Sequence, residues 1–244
     1  MNYPIIQISN KEAIEKLYLP FHYLTDQGQR HRPAQYVYGA FDGGKLIAAC
    51  GFSGFPVTEL FKGIWGIQDF RSFDQSGFHE LSRLCVHPDY QQGQCFTSWF
   101  VSRCLKRIKL DYSLQRKRCK AVLSYADDDQ HAGVIYAACN FKYYGLSAPK
   151  YNIWTPLEEK NGGNFLPLRL RPGRIETHWK QQSRGWKEHL DNGGIKVMRG
   201  RKHRFLLTWD KQLAKQILWE EEQWGNNKAG QSINTHPAST AHLR

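Results

Sequence analysis

The stretch AVLSYADDDQHAGVIYAACNFKYYG, residues 121–145, constrains this chain more than any other. It reads as a buried strand over residues 121–125 and an acidic turn at Asp127, Asp128 and Asp129. A short helix over residues 132–139 and a closing Asn140-Phe141…Gly145 follow. Upstream, FHELSRLCV at residues 78–86 reads as a second strand that leads into an amphipathic helix. Such a strand–helix–strand–helix unit sets the C-terminal ends of two parallel strands side by side. Open α/β sheets bind ligands at that edge.

The remaining elements frame this unit. A helix is expected over residues 11–18, then a loop with Phe21-His22-Tyr23 and a polar stretch to Pro33. Residues 36–41 and 45–52 are β-rich runs joined by Asp42-Gly43-Gly44, a hairpin signal because glycine accepts positive φ. Residues 53–76 read as a long shaped loop with at most a short helix or strand inside. The long helix over residues 96–108 carries Phe96, Phe100, Val101, Cys104, Leu105 and Ile108 on one face, with Arg103, Lys106, Arg107 and Lys109 outward. The crossover back to residues 121–125 should be right-handed. Late strands are expected at 151–155 and 205–209 and a C-terminal helix at 211–224. Residues 225–244, almost free of large apolar side chains, read as a disordered tail. One domain over residues 1–224, with a basic insertion at about 160–204, accommodates all of this.

Charge narrows the function. The formal net charge is +12, and residues 161–204 hold eleven Lys and Arg against three acids, with Trp179 and Trp186 interleaved. Cations mixed with aromatics suit a surface that neutralises phosphates and stacks on bases. The competing reading is a solvated basic face that serves solubility. No apolar run is long enough to span a bilayer, and the first residues lack the pattern of a signal peptide. The six cysteines form no CxxC pair, and several fall on apolar faces, as buried thiols in a reducing compartment do. These features predict a cytoplasmic protein with a nucleic-acid partner and no membrane.

The order of elements resembles the GNAT acetyltransferase superfamily: an α/β fold with a mixed sheet, splayed central parallel strands and flanking helices. That superfamily places a Q/R-x-x-G-x-G/A loop before the long helix, where backbone N–H groups cradle a pyrophosphate. Here the loop is Gln91-Gln92-Gly93-Gln94-Cys95-Phe96, with the glycine displaced, which argues against conventional acetyl-CoA binding. The set Phe21-His22-Tyr23, Glu80-Leu81-Ser82-Arg83-Leu84, Ser98-Trp99-Phe100, Tyr125-Ala126-Asp127, Tyr136, Asn140 and Lys202-His203-Arg204-Phe205 resembles the Mom family of phage DNA-modifying proteins. The resemblance implies conversion of adenine N6 in double-stranded DNA to a carbamoylmethyl derivative, which protects phage DNA from host restriction. It also associates iron with the family.

Several residues are candidates for that chemistry. Asp127 ends the central strand, where it can act as general base or cap the following helix; Asp128 or Asp129 can take the capping role. The resemblance places active-site residues at His22 and Tyr23. Tyr136 matches the superfamily position that protonates a leaving thiolate, or is a core tyrosine. Arg83 on a strand must meet an acid such as Asp127 or Glu80, or bind a phosphate. Ser98 either caps the long helix or contacts an anionic cofactor. A site of two His and one carboxylate could draw on His22, His131, Glu80 and Asp127, although spacing alone does not support it. Tyr23, Trp65, Tyr136 and Tyr143 are available to hold a flipped base. Arg199, Arg201, Lys202 and Arg204 are the expected phosphate contacts. Two other readings remain: a CoA-dependent N-acyltransferase acting on a small amine or protein, and a non-catalytic nucleic-acid-binding protein on the same scaffold.

Overall fold

The computed structural model describes residues 2–22, 33–69, 72–91, 95–127, 133–148, 151–156, 165–167, 195–198 and 201–224; in 151–156, 165–167 and 195–198 it describes the backbone alone. Seven strands form one mixed sheet in the order β1-β2-β3-β4-β5-β10-β6. They are β1 (Ile5–Gln7), β2 (Tyr36–Asp42), β3 (Lys45–Gly54), β4 (Phe78–Val86), β5 (Ala121–Asp127), β10 (Lys202–Thr208) and β6 (Lys142–Leu146). All neighbours run antiparallel except β4 and β5, the parallel centre expected from the sequence.

A bulge divides that centre. β4 pairs with β5 only from Phe78↔Ala121 to Leu81↔Ser124. Against β3 the register jumps between Gly51↔Arg83 and Phe52↔Leu81, which leaves Ser82 as the extra residue. A bulge bends its strand, and β4 leaves β5 at this residue. The Ser82 hydroxyl lies 2.8 Å from that of Ser53, which ties the bulge to β3. β5 stays with β10 as far as Lys202↔Asp127. A V-shaped gap therefore opens between residues 83–86 of β4 and 125–127 of β5.

Strand alternation gives the sheet two apolar faces. One receives α5 (Phe96–Leu114), whose buried Phe96, Phe100, Val101, Cys104, Leu105, Ile108 and Tyr112 recur at helical spacing, and the short α6 (Val134–Ala138). Gly133, at φ 72°, starts α6 where a Cβ would stand 2.4 Å from the Phe205 ring, so only glycine lets the helix settle there. The other face is covered in two patches. Over β2–β4 lie α1 (Asn10–Ala13), a π-helical turn (Ile14–Tyr18) and α2 (Leu19–Phe21). Over β5, β10 and β6 lie α3 (Glu59–Trp65) and α7 (Lys211–Lys215). A further short helix, α4 (Pro88–Gln91), follows β4. Among the described residues no helix lies over the strip between the two patches, which is polar.

Local details depart from the sequence reading where tertiary bonds replace local ones. The N-terminal helix widens into π geometry because Pro20 offers no N–H and its ring would clash with the carbonyl four residues back. The helix expected over 211–224 stops at Lys215: Leu218 N–H bonds Ile64 O at 2.7 Å and Glu222 N–H bonds Tyr143 O at 2.9 Å. β6 was not anticipated as a strand; it is the sheet edge beyond β10. β10 begins at Lys202 rather than 205, which draws Lys202 and Arg204 into the sheet. β7 (Tyr151–Pro156) does not join the main sheet, in which β10 already carries β5 on one side and β6 on the other. It pairs with β8 (Phe165–Pro167) and β9 (Ile195–Met198) in a separate three-stranded sheet. Most of residues 160–204 and all of 225–244 lie outside the described residues.

Candidate active site

Register places the polar strip. Leu123 and Ala121 of β5 face the α3–α7 patch, so Tyr125 and Asp127 share that side. Their cross-strand partners on β10, Arg204 and Lys202, share it too. On β4 it holds Glu80, opposite Leu123, and beyond the bulge Arg83, opposite Gly51. Glu80, Arg83, Tyr125, Asp127, Lys202 and Arg204 therefore stand on one face, around the mouth of the V. None of the six is adjacent to all the others in sequence; the splay gathers them.

The β4 lip centres on Arg83. Its Nη1 donates to the neighbouring Ser82 carbonyl at 2.5 Å. Its buried Nε has no hydrogen-bond partner among the described residues, and no carboxylate pairs with it there. Among the described residues neither Asp127 nor Glu80 forms an ion pair with Arg83, and a guanidinium in that setting has donors left for an anionic group. Gly51 leaves room above it for the Tyr18 hydroxyl, 3.5 Å from where a Cβ would stand. Burial pushes the Tyr18 hydroxyl pKa up, against the pull of Arg83. His22, buried beside Tyr18 with ring centroids 5.9 Å apart, accompanies it on this lip; its N–H bonds Tyr18 O at 3.1 Å. The π-turn and α2 deliver both rings.

The β5 lip centres on Asp127, whose carboxylate takes an ion pair from Lys202 Nζ at 2.8 Å. Tyr125, one turn of the pleat away, has its hydroxyl pKa pushed up to about 12, by burial first and then by the Glu80 carboxylate, with Arg204 opposing. At the apex, reached from the opposite face, Tyr136 is buried beside Phe205 (5.2 Å between centroids) and close to Ser124, whose hydroxyl donates to Leu81 O at 3.3 Å. Burial raises its pKa to about 12. Ser124 is the last β5 residue paired with β4, so the Tyr136 hydroxyl sits where the strands part.

Other candidates stand apart. Ser98, in the first turn of α5, donates to Cys95 O at 3.1 Å, on the α5 side of the sheet. Trp65, Tyr136 and Tyr143 are buried in the packed core, and Trp65 Nε1 donates to Leu213 O at 3.1 Å, so none presents an open face to a flipped base. Arg201 Nε donates to Ser147 O at 2.7 Å and binds the end of β6. Arg204 donates to the Tyr144 and Gly145 carbonyls and lies 4.4 Å over the Trp219 ring. Of the expected phosphate contacts, then, Arg201 and Arg204 bond main-chain carbonyls and Lys202 pairs with Asp127. Tyr23, His131 and Arg199 lie outside the described residues. Among the described residues no three His, Cys, Asp or Glu side chains stand together to hold a metal; His131, the fourth candidate ligand beside His22, Glu80 and Asp127, lies outside them. Five of the six cysteines are buried and all six are free thiols. Tyr18 and Ser124 were not singled out from the sequence; Tyr125 was read only within the Tyr125-Ala126-Asp127 motif, although it shares the parity of Asp127 on one strand.

A mixed sheet whose central parallel strands splay, with a long helix between them, defines an acetyltransferase-like α/β fold. The profile of the Mom protein family matches residues 2–225, and the chain belongs to that family. No curated protein sequence matches it. Solved structures similar to the chain include an N-acetyltransferase from Staphylococcus aureus Mu50 (10% identity, 86% of this chain, 100% of that one, TM-score 0.44). A Bacillus subtilis acetyltransferase in complex with CoA shows 12% identity over 86% of this chain and 100% of its own, with TM-score 0.42. An IAA acetyltransferase from Bacillus cereus ATCC 14579 shows 11% identity over 85% and 99%, also with TM-score 0.42.

Proposed function

We propose that this chain is a phage DNA-modifying transferase that converts adenine N6 in double-stranded DNA to a carbamoylmethyl derivative and so shields that DNA from restriction. The observation that carries the reading is the pairing of lips across the splay: a guanidinium without a carboxylate on β4 and a carboxylate on β5. Membership of the Mom family supports the choice of substrate.

Each residue then has a role. The N6 amine of adenine is a weak nucleophile because its lone pair is delocalised into the ring, so attack needs a base to remove its proton. Asp127 is that base, and Lys202 keeps the carboxylate in place and compensates its charge until the proton arrives. Arg83 binds an anionic group of the donor or of the DNA backbone. Tyr136, protonated through the neutral range, donates a hydrogen bond or proton to the departing group at the apex. His22 packs on Tyr18 and orients the β4 lip.

Mass spectrometry of nucleosides from plasmid DNA in cells expressing the chain tests this. A carbamoylmethylated deoxyadenosine is the expected product. Unchanged deoxyadenosine with well-expressed, folded protein overturns the reading.

A further inference from the structure

The far side of the sheet carries a second basic surface. Residues 103–118 hold seven cations (Arg103, Lys106, Arg107, Lys109, Arg116, Lys117, Arg118) and one acid, Asp111. Their balance, 7 − 1 = +6, is half of the chain's formal +12 in sixteen of 244 residues. All seven cations are exposed. Among the described residues Arg107 alone of the seven meets a carboxylate, Asp111, at 3.1 Å, while Arg103 lies over Trp99 and Lys109 over Trp209. Lys106, Arg116, Lys117 and Arg118 form no ion pair among the described residues.

The surface is also fixed in shape. Arg103, Lys106 and Arg107 fall on the outer stripe of α5, whose inner stripe is buried against the sheet. The Arg116-Lys117-Arg118 run is held by the turn that ends the helix: Arg116 adopts φ 56°, and the Arg116 and Lys117 N–H groups each bond a helix carbonyl at 2.9 Å. From Arg103 to Leu114 the axis rises about 16 Å, enough to follow several phosphates of one strand. A mobile charge run would serve solubility equally well; a rigid, nearly acid-free stripe fits a partner of uniformly negative charge. Exposed Leu110 and Leu114 are the two apolar residues on it, too little to anchor in a lipid surface.

We infer that the outer surface of α5 and its terminal turn is a second duplex-DNA-binding surface, separate from the modification site and on the opposite side of the sheet. It rests on the reading that DNA is the substrate, and it adds that one protein molecule holds two duplex segments at once. The α5 surface grips the backbone of one segment without regard to sequence, while the splay addresses the other. Local concentration of substrate follows from the tether.

The test uses the full chain and a Lys106→Gln/Lys117→Gln/Arg118→Gln variant. Binding to a fluorescent duplex of unrelated sequence is followed by anisotropy across a salt series. Bridging is read by whether protein on an immobilised duplex retains a second, labelled duplex. The variant is expected to melt as wild type, to bind non-specific duplex at least tenfold more weakly, and to lose about 2 to 3 from the slope of log affinity against log salt, as loss of three phosphate contacts requires. Bridging should disappear. An unchanged slope with bridging retained overturns the inference and leaves the modification reading intact. The expected change in slope and bridging with no modified nucleoside in the wild type supports the inference while the modification reading falls. Binding of wild type to phosphatidylserine vesicles but not to duplex overturns it in favour of a membrane surface.

Discussion

Two groups of cations on opposite sides of one sheet contrast sharply in what their charges do. On the β10 side, Arg201 and Arg204 direct their guanidinium groups at main-chain carbonyls of residues 144–147, and Lys202 is closed on Asp127. On the α5 side, Lys106, Arg116, Lys117 and Arg118 have no such engagement among the described residues. Burial even lowers the pKa of Arg204, the sign of a charge partly withdrawn from water. Both groups are rich in formal charge, three cations on the β10 side and four on the α5 side; they differ in availability. A count of Lys and Arg locates charge, whereas only packing tells which charges remain free for a polyanion.

The largest effect that would break this contrast concerns the pair at the mouth of the V. Asp127→Asn is nearly isosteric and frees Lys202. Modification should fall by about a hundredfold to ten-thousandfold, the range for loss of a general base. Stability should change by no more than about 1 kcal/mol, because Lys202 is half exposed and water screens the pair. Nucleoside mass spectrometry and a melting curve on the same preparation read both. Full modification by this variant would remove Asp127 from the chemistry and leave the β10 cations as mere structure.

Next comes Arg204→Ala. It strips two carbonyls of a charged donor and the Trp219 ring of its cation, so a loss of about 2 to 3 kcal/mol is expected in urea unfolding. A neutral result would show that the β10 cations are as dispensable to the fold as those of α5.

The inner side of α5 gives the third test, of similar size but visible only in acid. Tyr112 of α5 hydrogen-bonds His79 Nε2 at 2.9 Å, and burial lowers the His79 pKa to about 4. The unfolded chain protonates this residue near 6.5, the folded one only near 4. The unfolded state therefore binds more protons in that window, and stability declines as pH falls through it. From pH 7 to 4.5 the decline attributable to His79 is about 2 to 3 kcal/mol, and His79→Gln should flatten it. An unchanged pH profile in that variant would place the acid sensitivity elsewhere.

The smallest effect is Lys106→Ala, expected within about 0.5 kcal/mol of wild type in stability. It still weakens duplex binding at low salt. A large destabilisation would mean that the α5 surface, like β10, is bound into the fold.

Much of the architecture was legible because it is written in local periodicity. The hairpin through Asp42-Gly43-Gly44, the strand Phe78–Val86, the helical stripe from Phe96 to Ile108 and the return strand at Ala121 each carry their own pattern of two or 3.6. Where residues 216–224 bond to α3 and β6 instead of to themselves, periodicity misleads, and a helix was expected that the backbone does not form. Asp127 stood out in the sequence because it ends a strand, and Tyr136 because it matches a position of the family resemblance. Arg83 stood out as a charge on a strand, yet its lack of a carboxylate partner could be seen only once both lips were in place.

The sequence by itself determined most of the elements, their order and the surplus of positive charge, since each of these is carried by neighbours within a few residues, and the strand–helix–strand order implied the parallel centre. Tertiary structure alone decided where that centre splits, because the Ser82 bulge appears only when β3 and β4 set their register. It also decided which cations are engaged within the fold. That depends on what each guanidinium or ammonium meets across the fold, and such contacts join residues as far apart as Arg204 and Tyr144.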